Sequence, residues 1–305
     1  MFVVYGRHGG FPAEVELSAL LEPNGGDGTA GFVQVGLEPR TAVQVRAVGD
    51  VNGDGLADLS VGGLADGPVV YVWYGNAGPV PAERPFNALL IANGGNGSQG
   101  VALVADEGEE LTLPTRIGDV DDDGFPDLAL TAARGNPATE NFGTTVYVLY
   151  GQEDPLPAEV VPAALLDQDA PRVVTLVRPP TQPVTLRPAR ATLDFNQDGV
   201  EDLVFSDSGG GLDSVYLAHG TAGLRPPLID LGDLLPENGG DGRRGFVVRG
   251  NEETGRLDQS ISTADVNADG RQTSWSRRLF ADCRSATTWA PKPSSTVARD
   301  PCRRR

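Results

Sequence analysis

Short apolar segments alternate along the chain with polar segments rich in glycine, aspartate and proline. One apolar phrase, rich in Val and Tyr and ending in Tyr-Gly or His-Gly, occupies residues 2–6, 70–75, 146–151 and 215–220. Such short runs bounded by turn residues are typical of β-strands. Each of the three later copies follows a polar loop and a second apolar segment, so the pattern predicts loop, strand, turn and strand, repeated along the chain.

The polar loop is a nonapeptide with a fixed spacing of residue types. It begins at Asp50, Asp119 and Asp194, and a fourth copy begins at Asp265 but departs from the pattern after Gly270. Oxygen-bearing side chains stand at positions one, three, five and nine, and Gly stands at position six. The copies recur about every 70 residues, which indicates a repeat architecture with one small sheet per unit.

This spacing suits a hard divalent cation. Calcium takes six to eight oxygens at roughly 2.3–2.6 Å, and a chain that curls around the ion presents alternate side chains inward. Glycine at position six allows the tight turn, and clustered carboxylates repel one another unless a cation lies between them. With the carbonyl at position seven, the predicted calcium ligands are Asp50, Asn52, Asp54, Leu56, Asp58, Asp119, Asp121, Asp123, Phe125, Asp127, Asp194, Asn196, Asp198, Val200, Asp202, Asp265, Asn267 and Asp269.

Two other structures share parts of this pattern. Asn-Gly and Asp-Gly pairs also form ordinary hairpin turns. An EF-hand needs a Glu at its twelfth position and helices on both sides, whereas the twelfth residues here are Val61, Leu130 and Phe205 within predicted strands. Four copies with the same spacing favour metal loops over both alternatives.

A second phrase, Asn-Gly-Gly followed by Asp-Gly or Asn-Gly, occupies residues 24–32, 93–101 and 238–246. Tandem Gly-Gly-x-Gly-x-Asp repeats bind calcium in β-rolls, but these copies stand singly. They are interpreted as a turn before an outer strand. Residues 151–193 are rich in proline, which central strands exclude, and are predicted to form an irregular connection with one strand at Val173–Val177.

Loop, strand and Tyr-Gly phrase at a fixed period resemble the FG-GAP repeats of the integrin-α type of β-propeller. The resemblance covers nearly all of residues 1–270 and implies an all-β fold, a β-propeller, here with an incomplete set of about four blades where the complete family member has seven. It also implies calcium in hairpin loops on the lower rim, and binding of a protein or glycan ligand in adhesion at the cell surface. The Phe-Gly before the loop and the Gly-Ala-Pro after it are missing.

Charge divides the chain unequally. The formal net charge is −18, yet residues 271–305 hold eight Arg and one Lys against two Asp. The acidic body argues against a nucleic-acid partner, because phosphates would be repelled. It fits neutralisation by bound divalent cations and equally fits a merely soluble surface. No run of about 18 apolar residues indicates a transmembrane helix, and the first residues do not resemble a signal peptide.

The tail at residues 271–305 differs from the body in composition, since it holds the only Lys and both cysteines. Arg271–Leu279, written in GC-ending codons and read one frame over, becomes Pro-Asp-Val-Leu-Val-Ala-Ala-Pro. That reading restores Asp at the ninth position of the fourth loop, so we hypothesise a reading-frame shift and expect a disordered tail. A chain that opens inside the Tyr-Gly phrase is also expected to have lost its beginning.

Catalytic signals are weak. The only histidines are His8 and His219, and His219 takes the place of Tyr in the strand phrase. No Gly-x-Ser-x-Gly elbow is present, and Ser206-Asp207-Ser208 is interpreted as turn chemistry. The sequence therefore predicts a non-enzymatic calcium-binding propeller of the extracellular space. Two alternatives stay open at this point: a propeller derived from a surface hydrolase, and a truncated gene product without independent function.

Overall fold

The computed structural model describes residues 1–35, 43–63, 68–78, 80–134, 143–153, 156–166, 174–178, 185–189, 194–208, 214–223, 226–249, 261–264 and 273–276. The fourth acidic loop, with Asp265, Asn267 and Asp269, lies outside the described residues, as does the tail apart from the backbone of residues 273–276.

Short strands dominate the described chain, as the apolar pattern predicts. They are β1 Phe2–Val4, β2 Gly31–Val35, β3 Val43–Gly49, β4 Asp58–Gly63, β5 Val69–Trp73, β6 Glu83–Pro85, β7 Gly100–Val104, β8 Glu109–Leu111, β9 Thr115–Gly118, β10 Asp127–Arg134, β11 Gly143–Leu149, β12 Glu159–Val160, β13 Val174–Arg178, β14 Thr185–Pro188, β15 Leu203–Ser208, β16 Ser214–Ala218, β17 Leu228–Asp230, β18 Gly245–Arg249, β19 Ile261–Ala264 and β20 Thr273–Ser276.

Helix is confined to single turns. The 3₁₀ helices are Leu17–Leu20, Glu22–Asn24, Phe86–Leu89, Ile91–Asn93, Leu231–Leu234 and Pro236–Asn238, and one short α-helix, α1, is Pro162–Leu165. Glycine ends three of these turns in the left-handed region, for example Gly25 at φ 91°. The recurrent Asn-Gly-Gly phrase therefore closes a 3₁₀ turn and leads into β2, β7 and β18, which confirms its interpretation as a turn before an outer strand.

Three sheets hold four antiparallel strands each, joined in chain order. The first sheet is β3-β4-β5-β7, the second is β9-β10-β11-β13 with β8 also paired to β10, and the third is β14-β15-β16-β18. In each, an acidic loop immediately precedes the second strand. Two smaller sheets, β1-β2-β6 and β19-β20, complete the described strands. The repeated narrow sheets and the near absence of helix agree with the predicted all-β propeller.

Neighbouring sheets are tied together at their outer edges. After its third strand the chain runs to the preceding sheet and adds a short parallel strand there: β6 beside β2, β12 beside β7 and β17 beside β13. It then turns back through the 3₁₀ helices. Because a single narrow sheet cannot bury both faces, this exchange and the stacking of sheets supply the core.

The core lies between consecutive sheets. Val72 and Leu103 of the first sheet pack against Leu128 and Leu130 of the second. A second cluster joins Val148 of the second sheet to residues of the third, including the fully buried Phe205. Burial of such side chains contributes about 1.5–3 kcal/mol each, so contact between successive repeats is the main source of stability.

Of two predictions about local structure, one is confirmed and the other is wrong. The predicted strand Val173–Val177 is present as β13, one residue later. The interpretation of Ser206-Asp207-Ser208 as turn chemistry is wrong, because these residues form the end of β15 and Ser206 and Asp207 are buried. The strand continues because Ser206 pairs with both Arg187 and Val215 on neighbouring strands, a tertiary constraint that local composition does not reveal.

Candidate metal centres in the acidic loops

The first aspartate of each loop holds the curl of the backbone. Its two carboxylate oxygens accept hydrogen bonds from the backbone N–H groups at positions five and six. In the second loop Asp119 accepts from Asp123 at 3.0 Å and from Gly124 at 2.8 Å. Asp50 and Asp194 repeat both bonds in the first and third loops. Aspartate is needed at position one because a single short side chain must serve two donors.

The fifth aspartate fixes the next turn. Its Oδ1 atom accepts from the backbone N–H at position seven, at 2.8 Å for Asp54, 2.9 Å for Asp123 and 2.9 Å for Asp198. This bond fixes the backbone conformation at position seven. The carbonyl of that position, in Leu56, Phe125 or Val200, is the predicted calcium ligand. That carbonyl ligation stays a prediction.

Position four adopts a left-handed backbone that sequence analysis did not anticipate. Gly53 has φ 74°, Asp122 has φ 57° and Gln197 has φ 60°. Glycine adopts this region freely, and aspartate enters it more readily than β-branched residues do. The predicted glycine at position six is also left-handed in all three loops, with φ from 85° to 94°. Two left-handed residues two positions apart make the loop compact enough to bring its oxygens together.

The ninth aspartate ties the loop to the sheet. Asp58, Asp127 and Asp202 are fully buried. One oxygen of Asp127 accepts from the backbone N–H of Val120 at 2.8 Å, and the other accepts from that of Gly151 at 2.9 Å. Asp58 and Asp202 make the same pair of bonds. The acidic loop and the Tyr-Gly phrase are thus one structural unit, which explains their joint recurrence.

Glycine in the Tyr-Gly phrase is required by a close approach. A Cβ atom on Gly151 would lie 2.6 Å from the carbonyl oxygen of Pro126 and 2.7 Å from Cβ of Phe125. The backbone there must come close to donate to Asp127. In the sequence this glycine looks only like the end of a strand, because its distance from the ninth aspartate varies between 17, 24 and 18 residues.

Successive loops also contact one another. The carbonyl oxygen of Val51 accepts from the backbone N–H of Gln152, and that of Val120 accepts from Thr221. Glu201 of the third repeat reaches back, and its carboxylate accepts from the backbone N–H of Asp119 at 2.6 Å. The three loops therefore form a connected rim in which the first and second loops are each braced by the next repeat.

Oxygens converge most closely in the second loop. One oxygen from each of Asp119, Asp121 and Asp127 lies within 4.8 Å of the others, the only such acidic group among the described residues. An ion with metal–oxygen distances of about 2.3–2.6 Å spans at most roughly 5 Å between two of its ligands. The residues present therefore fit a single calcium ion.

The first and third loops differ from the second at position three. Asn52 donates from its amide to Asp54 at 3.1 Å, and Asn196 donates to Asp198 at 2.8 Å. These amides partly neutralise the carboxylate that faces them. The second loop has Asp121 instead, so the side chains at positions one, three, five and nine are all carboxylates. Their mutual repulsion is therefore strongest in this loop, and a cation there would relieve it most.

Burial perturbs the ninth carboxylate. Loss of solvent, together with the nearby carboxylates of Asp121 and Asp123, raises the pKa of Asp127 to about 8, against the lowering effect of its two backbone bonds. Burial likewise raises the pKa of Asp58 to about 6. A carboxylate in this position is therefore stabilised by a proton or by a cation beside it.

Comparison with known proteins agrees with this geometry. A family model described as FG-GAP repeat matches residues 116–149, which hold the second loop and the strands on both sides of it. Residues 116–149 are therefore an FG-GAP repeat. The chain is also similar to human integrin alpha-IIb, with 29% identity over 201 residues that cover 62% of this chain and 17% of the integrin. No solved structure matches the chain.

The same acidic loop, with a strand on each side, is present in three described copies, and the family model matches the second of them. The described part contains no helix that is long and apolar enough to cross a membrane. The chain spans less than a fifth of the length of this integrin.

Proposed function

We propose that this FG-GAP repeat protein is a calcium-binding propeller that acts in adhesion or ligand binding at the cell surface or outside the cell, without catalysing a reaction. The observation that carries the proposal is the convergence of Asp119, Asp121 and Asp127 within 4.8 Å. The same hydrogen-bonded curl in the first and third loops supports equivalent sites there, at Asp50, Asn52, Asp54 and Asp58 and at Asp194, Asn196, Asp198 and Asp202.

Within each site the residues have separate tasks. The aspartates at positions one and five shape the curl and present oxygens, and the ninth joins the loop to the third strand. Calcium, when bound, supplies the positive charge that these carboxylates lack. Because the loops brace one another through Val51, Val120 and Glu201, filling them stiffens the whole rim. A stiff rim presents a fixed surface to a protein or glycan partner.

The extracellular setting is supported by ligand chemistry and by similarity. Loops of exposed carboxylates and amides without a closed protein shell are expected to fill at about 10⁻⁴–10⁻³ M calcium, the range of extracellular modules. The protein to which the chain is similar is an integrin α subunit. The adhesive role, calcium as the ion and the absence of catalysis are parts of the same proposal.

Isothermal titration calorimetry with calcium on the full chain tests the metal sites. We expect Asp123→Ala and Asp54→Ala each to lower the stoichiometry by one ion relative to the parent, because each removes a ligand from a different loop. Glu110→Ala, an exposed acid outside the loops, is the matched control and should leave the stoichiometry unchanged. Equal stoichiometry in all four proteins contradicts the proposal.

A binding screen against immobilised glycans and matrix proteins, with calcium or with a chelator, tests the adhesive role. Calcium-dependent capture is the expected result. A panel of hydrolase substrates is run beside it, and turnover that is lost when the loops are mutated contradicts a non-catalytic function.

A further inference from the structure

A cavity of about 290 Å³ opens between the second and third sheets, beside the third acidic loop. Its inner wall is apolar and includes Val120, Tyr150, Leu203 and Leu234. Its outer wall is polar and includes His219 and Arg244. At this volume the cavity lies at the lower end of small-molecule sites, which are typically about 300–1,000 Å³.

The equivalent place between the first and second sheets is almost closed, with a volume of about 10 Å³. The two places correspond residue by residue, since each lies beside position two of one loop and the Tyr-Gly or His-Gly pair of the next repeat. Strand register fixes the match: Leu128 pairs with Leu149 in the second sheet, and Leu203 pairs with Ala218 in the third.

Two smaller side chains in the third repeat accompany the larger volume. Where the second sheet has Leu149 and Tyr150, the third has the smaller Ala218 and His219. Leu149 and Tyr150 are among the side chains that close the narrow place. Ala218 and His219 are among those that line the open one. The third repeat has therefore lost side-chain volume at one interface while keeping the surrounding strands.

The polar wall offers both donors and acceptors, with three carboxylates and two guanidinium groups among the lining residues Asp198, Asp230, Asp233, Arg243 and Arg244. Arg244 lies 3.5 Å from Asp233, so these two groups largely neutralise each other. Asp230 accepts from the backbone N–H of Gly232 at 2.9 Å. His219 has its Nδ1 atom 3.2 Å from Asp202, which fixes the ring against the wall. Such a mixture favours a neutral ligand that can donate and accept hydrogen bonds, rather than a strong anion or cation.

We propose that this cavity binds a small neutral polyhydroxylated ligand, of the size of a single sugar ring. The apolar wall with Tyr150 faces the carbon skeleton, and the paired carboxylate and guanidinium groups at the rim take the hydroxyls. The equivalent place between the first and second sheets is almost closed, so we expect one ligand per chain at the described interfaces. The inference does not depend on calcium in the loops, although Asn196 and Asp198 reach the rim.

Titration of the full chain with glucose, galactose, mannose and N-acetylglucosamine, followed by saturation-transfer NMR and calorimetry, tests the proposal. Measurements with calcium and with a chelator separate this site from the metal loops. We expect at least one of the four sugars to bind with a Kd of about 1 mM or tighter. Absence of saturable binding by all four overturns the proposal.

Two variants locate the site. Ala218→Leu with His219→Tyr restores the side chains of the second sheet and should weaken binding by at least about 10-fold, with stability kept, since Leu and Tyr already occupy the equivalent place. Arg244→Gln, on the exposed rim, should weaken binding by about 3-fold or more through a lost charged hydrogen bond. Unchanged affinity in the rim variant overturns the assignment, and that variant decides alone if the filled variant does not fold.

Discussion

Calcium is expected to raise the free energy of unfolding by about 2.7 kcal/mol for each loop that is filled at 100 times its Kd, because the ion binds the folded loop and not the unfolded chain. With three described loops this is the largest effect predicted for the protein. Urea unfolding in calcium and in a chelator, at matched ionic strength, measures it. Magnesium should stabilise less, since it demands six short octahedral bonds.

The matched control for this prediction is the triple variant Asp54→Ala, Asp123→Ala and Asp198→Ala. Each of these side chains is exposed and bonds one backbone N–H within its own loop. We expect the triple variant to lose the calcium-dependent gain while it unfolds in chelator at nearly the same urea concentration as the parent. A gain of equal size in both proteins would contradict specific binding in the loops.

Asp127→Ala is expected to lower the free energy of unfolding by about 3 kcal/mol even without calcium. The substitution leaves two backbone N–H groups, those of Val120 and Gly151, without their acceptor, at a cost of about 1–3 kcal/mol for each buried donor. Chemical unfolding of the chelated protein measures the loss. Asp127→Asn, which keeps one acceptor, should fall between the parent and the alanine variant.

Asp123→Ala is the control within the same loop. It removes a proposed calcium ligand on an exposed side chain together with the hydrogen bond from Phe125, so in chelator it should cost less than about 1 kcal/mol. Both variants should weaken calcium binding, and only Asp127→Ala should be severely destabilised without the ion. If the two variants unfold alike in chelator, the ninth aspartate does not have the structural role that its burial indicates.

Much of the fold could be predicted because its signal is local and repeated. The Val- and Tyr-rich phrase marks the third strands, and the Asn-Gly-Gly phrase marks the turn into the fourth. Position six of the acidic loop behaves as predicted, since Gly124 takes the left-handed conformation that a tight turn requires. Local chemistry of this kind is visible in sequence.

The missed features depend on contacts between distant residues. The second role of Asp127 requires Gly151, 24 residues away. The strand at Ser206-Asp207-Ser208 requires neighbours on two other strands. The brace from Glu201 to Asp119 spans 82 residues. None of these partners is implied by composition or by periodicity, because they arise only when sheets stack.

The last residue of the third strand differs between repeats, and the packing between neighbouring sheets differs with it. At the end of the third strand the residue is Trp73, Leu149 and Ala218 in successive sheets. The Cζ atom of the buried Arg84 lies 4.1 Å from the ring centroid of Trp73 and 5.2 Å from that of Phe32. Leu149 closes its interface, and Ala218 leaves it open. The metal loop is kept from repeat to repeat while the interface beside it varies.

The account rests on the acidic nonapeptides enclosing a divalent ion. Anomalous diffraction from crystals grown in calcium measures this directly. The account predicts a calcium peak inside each described loop, within about 2.3–2.6 Å of the oxygens at positions one, three, five and nine. Ordered loops without a peak, or carboxylates turned away from one, would contradict it.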